Sequence, residues 1–235
     1  MNTYIEQEDE QTSTLKFCIN EERRVVTVKD LVIAGWAGRN PAAIEHHIQE
    51  LAALGVARPR NIPSFYRLSA SLLTTDRQLD FVGNDSSGEV ECVLVSLSDG
   101  MYVGVGSDHT DRKVEAYGVT VSKQMCPKPI GRNLWKLDAL LDHWDRLVLR
   151  SWVTRNGERM LYQEGSVTGL LHPLDLMRRF NEQDHLQPGT VMFCGTLPVK
   201  GQIGGGELFE IELEDPVLNR HLKHQYSART LAYAD

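Results

Sequence analysis

Gly88-Glu89-Val90-Glu91-Cys92-Val93-Leu94-Val95 and, after a short break, Gly106-Ser107-Asp108-His109-Thr110-Asp111-Arg112 form the stretch from which the rest of the chain is read. In the first half Val90, Cys92 and Leu94 alternate with Glu89, Glu91 and Val93, and β-branched residues are frequent, so it reads as a strand. Ser98-Asp99-Gly100 is a turn signal, and Met101-Tyr102-Val103-Gly104-Val105 is the return strand. Successive strand side chains point to opposite faces, so Glu89 and Glu91 share one face and the hairpin carries Asp108 back toward them. Three carboxylates at one spot repel each other unless a cation sits among them or their pKa values rise. Oxygen-only ligands favour a hard divalent ion such as Mg²⁺, Ca²⁺ or Mn²⁺. On pattern alone, a Glu-x-Glu pair is also what the solvated face of a half-exposed strand looks like, and Glu210 and Glu212 show the same spacing.

A chain of 235 residues holds one large domain, or a domain with a small N-terminal lobe. Its 41% hydrophobic and 24% charged residues are ordinary for a soluble globular protein. The net charge of −7 argues against a nucleic-acid or anionic-membrane partner, since either needs a basic face. Cys18, Cys92, Cys126 and Cys194 are scattered with no Cys-x-x-Cys pair, which fits a reduced cytoplasmic setting without structural zinc. No window approaches the length of a membrane span, and the N-terminus, rich in Glu and Asp, reads as a frayed acidic tail.

Around the central hairpin the punctuation is that of a β-rich chain. Leu15–Ile19 and Val25–Val28 read as a hairpin, with a buried strand within Lys29–Ala37. Asn40 before Pro41 signals a helix start. Ile44, His47 or Ile48, Leu51 and Leu54 recur at helical spacing, and Gly55 closes the helix. His47 and Glu50, three apart, face the same way on that helix, and His46 at four-residue spacing from Glu50 does so as well. Leu79–Gly83 reads as a strand and Asn84–Gly88 as a loop. Leu137, Leu140, Leu141, Trp144 and Leu147 or Val148 form a helical stripe of core residues, with His143 a bystander. Asn156-Gly157 between Leu149–Thr154 and Arg159–Gln163 is a hairpin signal requiring positive φ. Gly204-Gly205-Gly206 lacks the following lysine of a nucleotide loop and reads as a flexible turn. His221 and His224 are spaced like a metal pair on a helix, but no further ligand is near them in the sequence, and strand-end polarity accounts for them.

Several of these segments together resemble the fumarylacetoacetate hydrolase superfamily. Glu89-Val90-Glu91 resembles its Glu-x-Glu pair, and Ser107-Asp108-His109-Thr110-Asp111-Arg112 its Asn-Asp-x-(Ser/Thr)-x-Arg-Asp segment, with Asp108, Thr110 and Arg112 on the matching positions. Gly38–Glu50 resembles its lid segment, Asn-Tyr-x-x-His-x-x-Glu, a few residues longer here. Arg67 stands where the family carries Lys, and Glu115 where it carries Gln. Lys123-Gln124-Met125-Cys126-Pro127-Lys128-Pro129-Ile130-Gly131 resembles the Lys-x-x-Asp-x-x-x-Pro-Leu-Gly segment, with Lys123 the matching lysine and Lys128 the alternative. Leu186–Pro198 resembles Leu-x-Pro-Gly-Asp-Val-Ile-x-Thr-Gly-Thr-Pro most closely of all. The family has a helix between the Glu pair and the Asp, where only a tight hairpin fits here.

The resemblance implies a mostly β (α+β) β-roll with few short helices, in which residues 1–70 carry the tail, hairpin and lid helix and residues 71–235 the catalytic roll. It implies a homodimer and a small oxo-acid substrate, with no nucleic acid or membrane. Glu89, Glu91 and Asp108 would hold a divalent cation, with Mg²⁺ first and Mn²⁺ or Ca²⁺ as alternatives. His47, oriented by Glu50, would activate water, Lys123 would balance charge, and Arg112, Glu115, Gly195 and Thr196 would contact substrate. The expected reaction is hydrolysis of a carbon–carbon bond in a β-dicarbonyl or acylpyruvate-type acid. The alternatives are decarboxylation, tautomerisation or hydration of a 2-oxo acid on the same site, or binding without catalysis.

Overall fold

The computed structural model describes residues 12–53, 55 and 57–234. The chain opens with a hairpin, β1 (Ser13–Ile19) and β2 (Glu22–Val28), turned by Asn20 and Glu21 in left-handed conformation. β3 (Asp30–Gly35) leads to α1 (Pro41–Ala53), where the Asn40 side chain accepts hydrogen bonds from the amides of Ala42 and Ala43 and proline opens the first turn. Then come β4 (Ser64–Leu68), β5 (Leu73–Thr74), β6 (Gln78–Val82) and β7 (Ser86–Ser87). The central hairpin is β8 (Val90–Leu97) and β9 (Gly100–Ser107), closed by Ser98-Asp99 with Gly100 at φ 137°. β10 (Thr110–Asp111), α2 (Arg112–Glu115), α3 (Val119–Gln124), β11 (Lys128–Pro129) and β12 (Asn133–Lys136) follow. β13 (Val148–Arg155) and β14 (Glu158–Ser166) turn at Asn156-Gly157, both at positive φ, and α4 (Pro173–Asn181) precedes β15 (Thr190–Thr196), β16 (Leu208–Asp215) and β17 (Arg220–Leu231).

Two sheets carry the fold. The larger has the order β2-β1-β12-β9-β8-β15-β3-β4, and the smaller β14-β13-β16-β17-β6. Most neighbours are antiparallel; β1–β12, β15–β3 and β17–β6 run parallel. The large sheet curls around one core, in which Phe17, Ile19, Leu31, Ile33, Val93, Val95, Tyr102 and Phe193 meet. A second core lies between the sheets, with Val90, Cys92 and Leu94 of β8 packed among Leu149, Ile211, Leu213 and Leu222. β8 is therefore buried on both faces, which explains a run of apolar residues longer than simple alternation gives. A third cluster of Leu79, Phe81, Cys126, Val153, Tyr162, Phe209 and Tyr226 closes the small sheet beneath the central hairpin. No helix among the described residues is long and apolar enough to cross a membrane.

Three readings are corrected. The Leu137–Val148 stripe is not a continuous helix but two 3-10 turns, Leu137–Ala139 and Leu141–Arg146, with non-helical φ at His143. Its apolar residues Leu137, Leu140, Trp144 and Leu147 are nonetheless buried. His143 is no bystander, since the chain breaks where its ring reaches the buried Asp215. The glycine turn is held, because the Arg155 guanidinium donates to the carbonyls of Gln202, Gly204 and Gly205. The strand reading of His221 and His224 holds: both lie on β17, the first exposed and the second buried.

Asp215 ends β16 inside the protein. Its carboxylate accepts from His143 Nε2 and Arg220 Nε, each at 3.0 Å, and from the amides of Val217 and Leu218, each at 3.1 Å. Burial pushes this carboxyl up, but the Leu218 amide, His143 and Arg220 outweigh it and hold it below the ordinary carboxylate range. The stability it contributes is present above its unfolded value of about 3.9 and is lost as pH falls through the lowered folded value. Asp215→Asn is expected to cost about 2 kcal/mol at pH 7 in urea unfolding, with the gap to wild type closing below about pH 4. A gap of the same size at pH 7 and pH 3 would contradict this account.

Candidate metal centre

The ends of the central hairpin bring three acids together. Ser107 pairs with Val90, and the Asp108 amide donates to the Glu89 carbonyl at 3.0 Å, so Asp108 leaves β9 directly opposite the Glu-x-Glu pair. One carboxylate oxygen from each of Glu89, Glu91 and Asp108 lies within 4.8 Å of the others. Glu91 and Asp108 are buried, and Glu89 is partly so. Glu91 is aimed by an irregularity in the neighbouring strand. The β15–β8 register slips between Phe193 and Thr196, Gly195 takes φ +96°, and its amide turns to donate to Glu91 Oε2 at 2.7 Å.

Cations ring the acids. Lys123, from α3, donates to Asp108 Oδ2 and lies 3.5 Å from Glu89 Oε2 and 3.4 Å from Thr110 Oγ1. Lys128, wholly buried in β11, donates to the His109 carbonyl and lies 3.1 Å from Asp108 Oδ1. Arg112 Nη1 lies 2.9 Å from Glu89 Oε1 and 3.4 Å from Glu115 Oε2. Burial pushes Asp108 up, but Lys123 and Lys128 together hold it well below the carboxylate range. Glu91 goes the other way, raised by burial and then by Asp108 and Glu89. Burial likewise raises Glu115 and lowers Lys128 and His109.

The donor set fits a divalent cation. Hard ions bind carboxylate oxygens at about 2.0–2.6 Å, so ligands around one ion lie up to about 5 Å apart, the spacing found here. Asp108 Oδ1 is buried and, although Lys128 is near, makes no well-directed hydrogen bond. Four acids, Glu89, Glu91, Asp108 and Glu115, face three cations, Arg112, Lys123 and Lys128, and the mutual repulsion that raises Glu91 is what a dication among them would relieve. A second acidic trio, Glu212, Glu214 and His221, is a different case. It lies on the outer face of the small sheet, already paired with Arg150 and Lys223. Two clefts, about 370 Å³ beside residues 57–66 and 118–121 and about 430 Å³ over that outer face, lie away from the carboxylates. At the acids themselves Lys123 and Arg112 are paired directly with Asp108 and Glu89.

Of the other expected site residues, Lys123, Arg112 and Glu115 converge on the acids, and Lys128 lies on the opposite side of Asp108. Gly195 contacts Glu91, whereas the Thr196 hydroxyl donates to the Val90 carbonyl and accepts from Gln163, each at 2.8 Å. Arg67 is away from the cluster, exposed over Phe180 and near Asp30. His47 and Glu50 lie on α1, but their side chains are outside the described residues. Sequence reading missed Gln163, whose buried amide accepts from Val90 N at 2.9 Å and Ser151 Oγ at 3.0 Å. It also missed Ser87, which accepts from Arg112 Nε at 2.7 Å. Neither carries a local signal; the approach of the small sheet to β8 gives Gln163 its partners, and the pairing of β7 with β10 brings Ser87 to Arg112.

A Cβ at Gly195 would stand 2.9 Å from the Ala37 Cβ in a left-handed conformation that other residues rarely adopt. Gly195→Ala is expected to destabilise the fold by about 1–3 kcal/mol and to weaken divalent-ion binding by shifting the amide that aims Glu91. A variant with wild-type melting and wild-type Mn²⁺ affinity would show that this bulge positions nothing.

Residues 34–226 match the family described as "Protein of unknown function (DUF2848)". No curated protein sequence matches the chain significantly. Among solved structures, Cg1458 superposes with a TM-score of 0.59 at 14% identity, covering 90% of this chain and 81% of that one. A 2-keto-3-deoxy-D-arabinonate dehydratase complexed with magnesium and 2,5-dioxopentanoate gives 0.59 at 16% identity, covering 92% and 79%. Yeast ynq8, a fumarylacetoacetate hydrolase family protein, gives 0.57 at 16% identity, covering 86% and 94%. The chain belongs to the family of proteins of unknown function DUF2848, and its fold is that of the fumarylacetoacetate hydrolase superfamily.

Proposed function

We propose that this protein is a metal-dependent hydrolase that cleaves a carbon–carbon bond in a small β-dicarbonyl or acylpyruvate-type acid. The observation that carries the reading is the gathering of Glu89, Glu91 and Asp108 within 4.8 Å, ringed by Lys123, Lys128 and Arg112. A bound divalent ion, Mg²⁺ above all, supplies charge stabilisation for oxygens that turn negative during the reaction. The chain's own cations do related work. Arg112, fixed by Ser87 and paired to Glu89 and Glu115, offers a rigid guanidinium to a substrate carboxylate. Lys123, close to Asp108 and Glu89, is held as an ammonium and balances charge on a departing enolate. His47 of α1, with Glu50 beside it in the helical repeat, is the proposed base. It takes a proton from water, the hydroxyl oxygen adds to the carbonyl carbon, and the bonding pair of the broken carbon–carbon bond leaves as an enolate.

A second reading, dehydration or another enolate reaction of a 2-oxo acid without an attacking water, is favoured by the likeness to the dehydratase complexed with magnesium and 2,5-dioxopentanoate. It uses the same acids and cations but not His47. The homodimer and the cytoplasmic setting belong to the proposal on the same footing.

Glu91→Gln and Asp108→Asn are expected to reduce Mn²⁺ affinity by at least about tenfold in calorimetric titration and to abolish turnover of acylpyruvates. Wild-type affinity in both variants would remove the metal centre. His47→Ala is expected to leave Mn²⁺ binding unchanged and lower hydrolytic kcat by about 10²–10⁴. An unchanged kcat, with water lost from a hydroxy-oxo acid in place of bond cleavage, would favour the second reading.

A further inference from the structure

Behind the acids runs a hydrogen-bonded line of side chains that takes no part in the proposed chemistry. It begins at Ser86 of β7 and passes through His109, Tyr226 and Ser107 to the backbone amide of Glu89. His109 Nε2 lies 3.0 Å from Ser86 Oγ, and Nδ1 lies 2.9 Å from the Tyr226 hydroxyl. The Tyr226 hydroxyl donates to Ser107 Oγ at 2.9 Å, and that oxygen also accepts from the Glu89 amide at 3.0 Å. All three residues between the ends are fully buried.

With the Tyr226 hydroxyl donating to Ser107, one donor order satisfies the line. Because Tyr226 spends its only proton on Ser107, its oxygen must accept from His109, so Nδ1 carries the imidazole proton. Nε2 is then a bare lone pair and accepts from the Ser86 hydroxyl. The ring is locked by packing as well, stacked on Phe81 at 4.0 Å and edge-on to Phe209 at 5.1 Å. Gly88 completes the device, since a Cβ there would stand 2.8 Å from the Tyr226 hydroxyl and 3.0 Å from Ser107 Oγ. Ser87, next to Ser86, accepts from the Arg112 guanidinium that pairs with Glu89, so the short strand β7 holds both the His109 ring and Arg112.

We propose that His109 and Tyr226 are positioning residues of the carboxylate cluster: a buried imidazole–phenol pair that fixes the Glu89 backbone relative to Asp108. Glu89 is anchored at its amide through Ser107, and Asp108 is anchored through the ring of the residue that follows it. Loss of the phenol hydroxyl leaves Ser107 Oγ, the acceptor of the Glu89 amide, without its donor and severs the side-chain link from that acceptor to the His109 ring. The inference rests on the reading of Glu89, Glu91 and Asp108 as a metal site.

The test is Tyr226→Phe, which keeps the ring and its stacking while removing the bridging oxygen, in the full-length protein with Mn²⁺ alone as probe. Calorimetric titration is expected to show about a tenfold loss of Mn²⁺ affinity, the effect typical of residues that orient metal ligands. Ser86→Ala, the milder variant that decides the matter if the first does not fold, is expected to lose about threefold. In ¹⁵N-labelled wild-type protein the His109 ring is expected as the Nδ1–H tautomer. Saturable Mn²⁺ binding that Glu91→Gln abolishes, together with affinities within twofold of wild type in Tyr226→Phe and Ser86→Ala, would overturn the positioning role and leave the metal reading intact. An Nε2–H tautomer would overturn the donor order. Absence of saturable Mn²⁺ binding by the wild type would overturn the metal reading, and this role with it.

Discussion

Asp108 is wholly buried and gripped from both sides by ammonium groups, Lys123 on one and Lys128 on the other. A lone carboxylate in such a place would be so costly that it would take up a proton, and a lone buried lysine would lose one. Each is tolerable only because the other is there. Placing two lysines on one aspartate requires β9 to end exactly opposite β8, α3 to lie over the hairpin's mouth and β11 to pass beneath it. The surrounding folds of chain satisfy that requirement, and the remaining acids, Glu89, Glu91 and Glu115, are gathered into the same charged knot.

Such a knot is rigid only if its backbone is. β8 has apolar cores on both faces, so the strand bearing Glu91 cannot slide without exposing Val90, Cys92 and Leu94 on one side or Val93 and Val95 on the other. The small sheet adds polar anchors, Gln163 on the Val90 amide and Tyr226 on Ser107, and the separate short strand β7 adds two serines, on His109 and Arg112. Buried hydrogen bonds of this kind contribute modestly to stability, but they are costly to break singly. That asymmetry suits residues whose work is to hold a geometry.

Much of this was legible in the chain. The hairpin of β8 and β9, the Asn-Gly turn, the Asn40-Pro41 helix start and the β-rich class all rest on local turn chemistry and period-2 alternation, which neighbours in sequence suffice to specify. Local pattern failed where a distant partner competes. The Leu137–Val148 stripe has helical spacing, yet it forms two short turns with non-helical backbone at His143, the residue whose ring pairs with buried Asp215. Arg67 keeps the positive charge of the family position but turns to Phe180 and Asp30 at the surface, because strand pairing and not charge sets its direction.

By itself the sequence determined that Glu89, Glu91 and Asp108 flank one hairpin, since the turn signal at Ser98-Asp99-Gly100 and the alternation on either side of it are local; the register that brings them together is seen in the fold. Only the tertiary structure decided what surrounds them. That Lys128 lies under Asp108, that a bulge in β15 turns the Gly195 amide onto Glu91, and that Tyr226 joins His109 to Ser107 are consequences of strands far apart in the chain packing together. The reason is physical: a turn needs only its own residues, whereas a buried charge or hydroxyl takes its meaning from whichever partner the packed core brings within 3 Å or so.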